Sequence, residues 1–532
     1  MTSRRICRSL AVVGLATLAS TAGSQAASRL GHITFPTSGR AEAEPVFMRG
    51  VLYLHSFEYD SAAQDFREAQ RLDPAYAMAY WGEAMTYTHP VWYQQDAAAA
   101  RGALQRLGAT ASERRAKAPT AREKRWMDAV EVLYGSGEKT QRDSLYAREM
   151  ERFARDFPGD HEVQAFRALS LLGLSSTGRD VPTYMRAAAI AEEVFRENPE
   201  HPGALHYLIH AYDDPVHAPL GLRAARAYAQ VAPGAAHAQH MTSHIFVAMG
   251  MWDDVERANL AAWDASSHRN GHYTHWLSYG YLQKGRLRDA RTYVDAILRD
   301  AAADPSPYKV GYMNIMLAGY LVDAEAWTSP WALFASDSAR RVGTDGALRS
   351  EASALDFAAG MAAIKRGDLA TTRRMRGAIA QRVAASRLTP GQGFVPGLAA
   401  SEIMGQMLDG LILASGTQIE SAIGAVRAAA EREAALPFEF GPPETVKPPY
   451  ELLGELYLAA QRPADARAAF EAALARTPNR SRAVLGLARA FAALGNVRAG
   501  AQHYARFLTN CSGADDNNSA MQEAAAFVAQ NK

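Results

Sequence analysis

Apolar residues recur along this chain at helical spacing in short stretches, and proline or glycine breaks each stretch before it grows long. The clearest unit covers 44–74. Gly50, Tyr53, Ala62, Phe66, Ala69 and Pro74 stand in it in the order small, aromatic, small, aromatic, small, proline. Small residues let two helices of a hairpin approach, aromatics fill the gap to the next hairpin, and the proline ends the second helix. Tyr450, Leu453, Gly454, Tyr457, Ala466, Phe470, Ala473 and Pro478 repeat the pattern near the C-terminus. Val484, Leu487, Ala488, Phe491, Gly495, Gly500, Tyr504 and Phe507 repeat it again. Pro158, Pro199 and Pro233 punctuate the middle in the same way. Weaker helical pairs cover 120–134 with 140–157, 351–366 with 369–386, and 401–414 with 418–436. Three segments read as linkers: 109–119, 388–397 and 437–449. The last holds Pro437, Pro442, Pro443, Pro448 and Pro449 and must be extended or turned. The pattern predicts an all-α chain of roughly ten to twelve helical hairpins.

These units resemble the tetratricopeptide repeat, a helix–turn–helix of 34 residues that stacks into a superhelix. The resemblance is strong at both ends and in the centre and weak over about 329–436. It implies an α-solenoid with a right-handed superhelix and a concave groove lined by the first helix of each hairpin. In that family the groove binds peptides or proteins. The central text, 201–213 and 237–246, is also similar to uncharacterised bacterial exported tetratricopeptide proteins with a His-rich stretch. A solenoid has no single core, so 532 residues need not mean several globular domains. The expected organisation is a signal peptide over 1–26, N-terminal repeats over 27–108, a His-rich central block over 109–300 and divergent helical repeats over 301–436. A Pro-rich linker over 437–449, a C-terminal repeat pair over 450–510 and a tail over 511–532 complete it.

Histidine carries the candidate chemistry. Ten of the fifteen histidines fall between His201 and His275. His206 and His210 stand four apart, as do His240 and His244, and the second pair follows the first by 34 residues. Four apart is one helical turn, so each pair projects from one face. With the register set by Pro199 and Pro233, His206 and His240 share the fifth place of the first helix and His210 and His244 the ninth. The residues between them differ, Tyr207-Leu208-Ile209 against Met241-Thr242-Ser243, while the histidines match. Neighbouring first helices pack about 8–10 Å apart, a gap two imidazoles can span. One ion could take four nitrogens, or two ions could share six histidines. His237, at the second place, joins the candidate ligands, as do His217 and Asp213 at the turn after the first pair. Groove-lining candidates are His272, His275, His55, His89, Glu451 and Glu455. Such a set suits a divalent transition metal: zinc, iron, copper or manganese. Most of the clustered aromatics, among them Trp81, Trp92, Tyr273 and Trp276, read as packing, and a minority as pocket walls.

Charge and cysteine narrow the setting. Arg4, Arg5 and Arg8 precede a short apolar run, and Ser24-Gln25-Ala26 fits a signal-peptidase site. Export to the periplasm or the extracellular space is expected. Lys and Arg total 57 against 56 acidic residues, and removing the leader leaves a slight acidic excess. That balance predicts no nucleic-acid partner, and no span of the membrane remains once the leader is cleaved. Cys7 lies in the leader and Cys511 is alone in the mature chain, which excludes an internal disulfide, a thiolate metal site and c-type haem. No Walker loop, GxSxG elbow or HExxH helix is present. Two functions remain open. The first is an exported metalloprotein with a multi-histidine site in its groove, a site suited to a hydrolytic or oxidative metal-dependent enzyme. The alternative is a non-catalytic scaffold whose groove holds a peptide, protein or small molecule. The sequence names no catalytic residue and no substrate.

Overall fold

The computed structural model describes residues 29–175, 178–337, 350–387, 396–515 and 518–531. The expected signal peptide and most of the 388–397 linker lie outside the described residues. Within them the chain forms 26 α-helices and one small hairpin, Thr88–His89 against Gln94–Gln95. Helices pair with their sequence neighbours, so the all-α solenoid expected from the pattern is the architecture observed. No described helix is long and apolar enough to cross a membrane.

The small and aromatic positions act as expected. Phe66, on the helix Tyr59–Leu72, sits between Gly50 of Glu44–His55 and Gly82 of Ala77–Met85. A Cβ at Gly50 or Gly82 would come within 2.9 or 2.4 Å of the Phe66 ring. Phe470 sits between Gly454 and Gly486 in the same way, at 2.7 and 2.3 Å. One buried ring thus locks three consecutive helices, and only glycine on the flanking helices leaves room for it. The weaker central pairs are also helical hairpins: Ala121–Leu133 with Lys139–Asp156, Ser350–Lys365 with Leu369–Arg387, and Pro396–Ala414 with Ile419–Ala434.

Three local expectations are corrected. The 109–119 segment contains a short helix, Ala111–Ala116, because Thr110 and Glu113 form a capping box that satisfies its first backbone donors. His89 does not lie on a first helix. That helix ends at Met85, and His89 falls in the small hairpin with its ring stacked 3.9 Å from Tyr59. The first residues of the described chain are an extended strap rather than a repeat. Its Leu30, Ile33 and Phe35 are buried, and Gly234 and His32 hydrogen-bond across to Arg29 and Glu200.

The superhelix closes on itself. Arg480, fully buried before the helix Ser481–Ala493, pairs with Asp323 and with Glu451, the latter at 2.7 Å. Ser481 N donates to Gln283 Oε1 at 3.0 Å, and Trp252 Nε1 donates to Asn479 O at 3.0 Å. Gly250, at φ +65°, lies so close to Pro478 and Asn479 that a Cβ would meet them at 2.3 Å. The C-terminal repeats are therefore docked on the end of the central block. The Pro-rich segment before them crosses the groove, with Phe440 packed on the central histidines and Gly441 on Trp276.

Candidate metal centre

Two helices supply most of the site. Pro202–Tyr212 starts on a proline, with His201 as its cap: His201 Nδ1 accepts from Ala204 N at 3.2 Å. Ala236–Met249 ends at Gly250 in the left-handed conformation that favours glycine. Both helices are buried on nearly every face, so their histidines point into the protein whichever way they turn. A third helix, His272–Gln283, stacks next in line and brings His272.

The histidines form two abutting triads. One ring nitrogen each from His206, His210 and His237 lies within 4.8 Å of the other two, and the same holds for His240, His244 and His272. The ring centroids of His210 and His244 are 5.3 Å apart and those of His237 and His240 5.9 Å, so the triads touch along both edges. The stripe read from the 34-residue period is thus one continuous cluster of six imidazoles.

Three rings are pinned from behind through Nδ1–H. His206 donates to the backbone carbonyl of His55 at 2.7 Å. His240 donates to Asn259 Oδ1 at 2.7 Å, and Asn259 Nδ2 in turn donates to Val255 O at 2.9 Å, which fixes the amide's orientation. His244 donates to Asp213 Oδ2 at 2.9 Å. Each bond places the proton on Nδ1 and leaves the Nε2 lone pair facing the cluster. His210 Nδ1 stands 3.3 Å from the same Asp213 oxygen. The Nε2 atoms of His206, His210, His237, His240 and His244 are all buried and none has a hydrogen-bond partner. A buried acceptor left unpaired costs about 1–3 kcal/mol, so five in one place is an arrangement that metal coordination would relieve.

The electrostatics agree. Burial holds His206, His237 and His240 well below the ordinary imidazole range, with the neighbouring histidines adding to the effect. Burial also lowers His244 to about 4, though Asp213 opposes it. Neutral imidazole is the metal-binding form. Burial would push the Asp213 carboxyl up, but Arg179 and the two histidine donors outweigh it and hold it well below the carboxylate range. Arg179 also approaches Asp214 at 3.5 Å, and Asp214 receives His217 Nδ1 at 2.8 Å.

Asp213, held by Arg179 and accepting from His244, forms with His210 and His244 a further set whose ligand atoms lie within 4.8 Å of one another, so it can support the rings or join them as a ligand. His217 is tied to Asp214 and joins neither triad. His55 is not on the groove surface: it is fully buried, with Nε2 donating to Glu162 Oε2 at 2.8 Å and Nδ1 facing Tyr207 Oη at 2.8 Å. His201 Nε2 faces the other Glu162 oxygen at 3.2 Å. In this third trio only His55 and Glu162 are hydrogen-bonded to each other, while Glu162 Oε1 and His201 Nε2 are buried without a hydrogen-bond partner, so the trio is a further set of converging ligand atoms behind the His55 carbonyl that holds His206. Glu451 is likewise buried, between Lys447 and Arg480, and Glu455 pairs with the same lysine at 2.7 Å. Glu451 belongs to the docking of the C-terminal repeats rather than to a groove lining, while Glu455, 40% exposed, borders it through Lys447.

Aromatic rings enclose the cluster. Phe57 lies 4.2 Å from His206, Trp276 4.4 Å from His244 and Phe440 4.9 Å from His244. On one side the cluster opens into a cavity of about 710 Å³ reached by His237 and His272. Tyr59, Trp92, Tyr273, Trp276, Tyr308 and Tyr312 form much of its wall, with His89 and His275 also on it. Asn259, Arg179, Phe57 and Phe440 escaped the sequence reading. They come from second helices, turns and the linker, and none carries a spacing signal.

Residues 43–76 and 452–515 match the tetratricopeptide repeat family. The chain carries tetratricopeptide repeats. Solved structures similar to the chain include the APC/C hetero-tetramer Cut9-Hcn1, at TM-score 0.34 and 11% identity over 93% of this chain and 77% of that one. Another is the human IFIT1 dimer with m7Gppp-AAAA, at TM-score 0.38 and 12% identity over 90% and 91%. No curated protein matches the sequence.

Proposed function

We propose that this chain is an exported tetratricopeptide-repeat metalloprotein. Its multi-histidine centre, deep in the superhelix, binds a transition metal and works on a molecule held in the adjoining aromatic cavity. One observation carries the reading: six imidazoles form two sets of three whose ligand nitrogens lie within 4.8 Å of one another, and five of their Nε2 atoms are buried without a protein partner. Nδ1–H bonds from His206, His240 and His244 support it, since a metal-ligating histidine usually gives its other nitrogen to a carbonyl or carboxylate. So does the cavity, which a purely structural site would not need. A hydrolytic or an oxidative metal-dependent reaction fits a site that is open on one side.

The test is elemental analysis of the full mature chain, prepared without an affinity tag. One or two equivalents of a transition metal are expected. A chain that retains none after incubation with zinc, copper, iron and manganese and desalting contradicts the proposal and turns attention to a scaffold that binds a partner in its groove.

A further inference from the structure

The six histidines divide evenly, and the division bears on which metal and which reaction. Each triad offers three nitrogens and no carboxylate. The one carboxylate within reach, Asp213, is already engaged by Arg179 and by His244. Around the six rings the charged groups are Arg179, Asp213 and Asp214, Glu439 beside Asp213, and the Glu58 carboxylate that accepts from His237 N at 2.8 Å; Asp60, Arg269, Glu351 and Glu444 line the adjoining cavity. Asp213 and Asp214 are engaged by Arg179 and His217, Glu58 by the His237 backbone, and burial pushes Glu439 and Glu444 up to about 7 and about 8, so none of these carboxylates is free to face a cation in either triad. The cost of burying an ion grows with the square of its charge, so two divalent ions side by side here are strongly disfavoured against two monovalent ones. Among transition metals of physiological use, copper is the one with a stable monovalent state, and imidazole is a good ligand for it.

We propose, on the reading above that the centre binds metal, that the six histidines hold two copper ions, one in each triad, and that the reduced pair binds one dioxygen between them. The electron count closes within the site. Each copper(I) gives up one electron to become copper(II), and dioxygen takes both to become peroxide. Charge closes as well. The pair rises from two positive charges to four while the oxygen ligand gains two negative ones, so the buried site keeps the same net charge through the step. A dioxygen pair is therefore the reaction partner that lets a carboxylate-poor site change oxidation state without a new buried charge. The contact of His210 with His244, and of His237 with His240, sets the triads close enough for one small molecule to bridge them.

The experiment is an anaerobic titration of the full chain with copper(I), followed by measured addition of dioxygen. Two equivalents of copper are expected, then one dioxygen consumed per two coppers with a new near-ultraviolet absorption. His237→Ala and His272→Ala, one in each triad, are each expected to lower the stoichiometry to one and abolish oxygen uptake, with unchanged far-ultraviolet circular dichroism. One equivalent of copper in the unaltered chain overturns the pair and leaves the metal centre standing. Two equivalents with no oxygen uptake overturn the reaction. No copper at all, with no other metal retained, overturns both this inference and the reading on which it rests.

Discussion

Asp213 receives the Nδ1–H of His244 at 2.9 Å while Arg179 holds its other oxygen. That relationship joins the histidine cluster to the superhelix wall. It fixes which His244 nitrogen carries the proton, and so which one is free to coordinate. Asp213→Asn keeps the shape and removes the charge. Metal affinity should fall about 10- to 100-fold, the usual cost of losing such a partner. Arg179 keeps Asp214, so the change should spare the fold. A competition titration against a chelator reads the affinity, and thermal melting of the metal-free protein reads the fold.

Protonation should undo the metal-free protein in a defined window. His206, His237, His240 and His244 have pKa values lowered in the folded chain, His244 to about 4. In the unfolded chain they titrate near about 6.5. Below that pH the unfolded state takes up protons that the native state refuses, so protons favour unfolding. The histidine contribution should be full above about 6.5 and decline as pH falls toward 4, by about 1.4 kcal/mol per pH unit for each such histidine. Glu433 and Glu439, pushed up to about 7 by burial, and Glu444, pushed up to about 8 by burial and by nearby carboxylates, act in the opposite sense as pH rises above their unfolded values. Denaturant unfolding between pH 4 and 8 checks this. A His240→Ala variant whose metal-free stability falls as steeply as that of the unaltered chain between pH 6.5 and pH 4.5 contradicts the buried, neutral cluster.

Glu162→Gln separates support from coordination. The carboxylate faces His55 and His201 at once, and an amide offers only one acceptor in its place. The buried bond from His55 then ends on a neutral acceptor instead of a carboxylate, at a cost of about 1 kcal/mol. The melting temperature should drop while the metal stoichiometry stays the same. Loss of metal without loss of stability would assign this trio to coordination.

Much of this was legible in the sequence, for a physical reason. A stacked repeat turns a sequence period into a spatial row, so His206, His210, His240 and His244 could be placed on one face before any coordinates. The small and aromatic positions around Phe66 and Phe470 were legible because a ring needs space on both neighbouring helices. What escaped depends on long-range closure. Asn259 reaches His240 from a second helix, His55 reaches His206 through its backbone carbonyl, and Phe440 arrives from a linker more than one superhelical layer away in sequence. Glu451 read as a counterpart of the histidines because it occupies the same repeat position. Its surroundings differ because Arg480 folds back onto Asp323 and buries it.

Closure itself can be tested at Gly250. Its left-handed φ costs a non-glycine residue about 1–2 kcal/mol, and a Cβ would press on Pro478 and Asn479. Gly250→Ala should lower thermal stability and loosen the C-terminal repeats. Proteolysis should then cut first in the Pro-rich segment over 437–448. An unchanged melt and cleavage pattern contradicts the docked arrangement.

The most direct test of the central claim is the metal content of the double variant His206→Ala, His244→Ala beside that of the unaltered chain. Each substitution removes one converging nitrogen, one from each triad, and both sit on helices held by extensive packing. The account expects stoichiometric metal in the unaltered chain, its loss in the variant, and the same helical circular dichroism in both. A variant that keeps its full complement of metal would contradict the assignment of the site to these histidines.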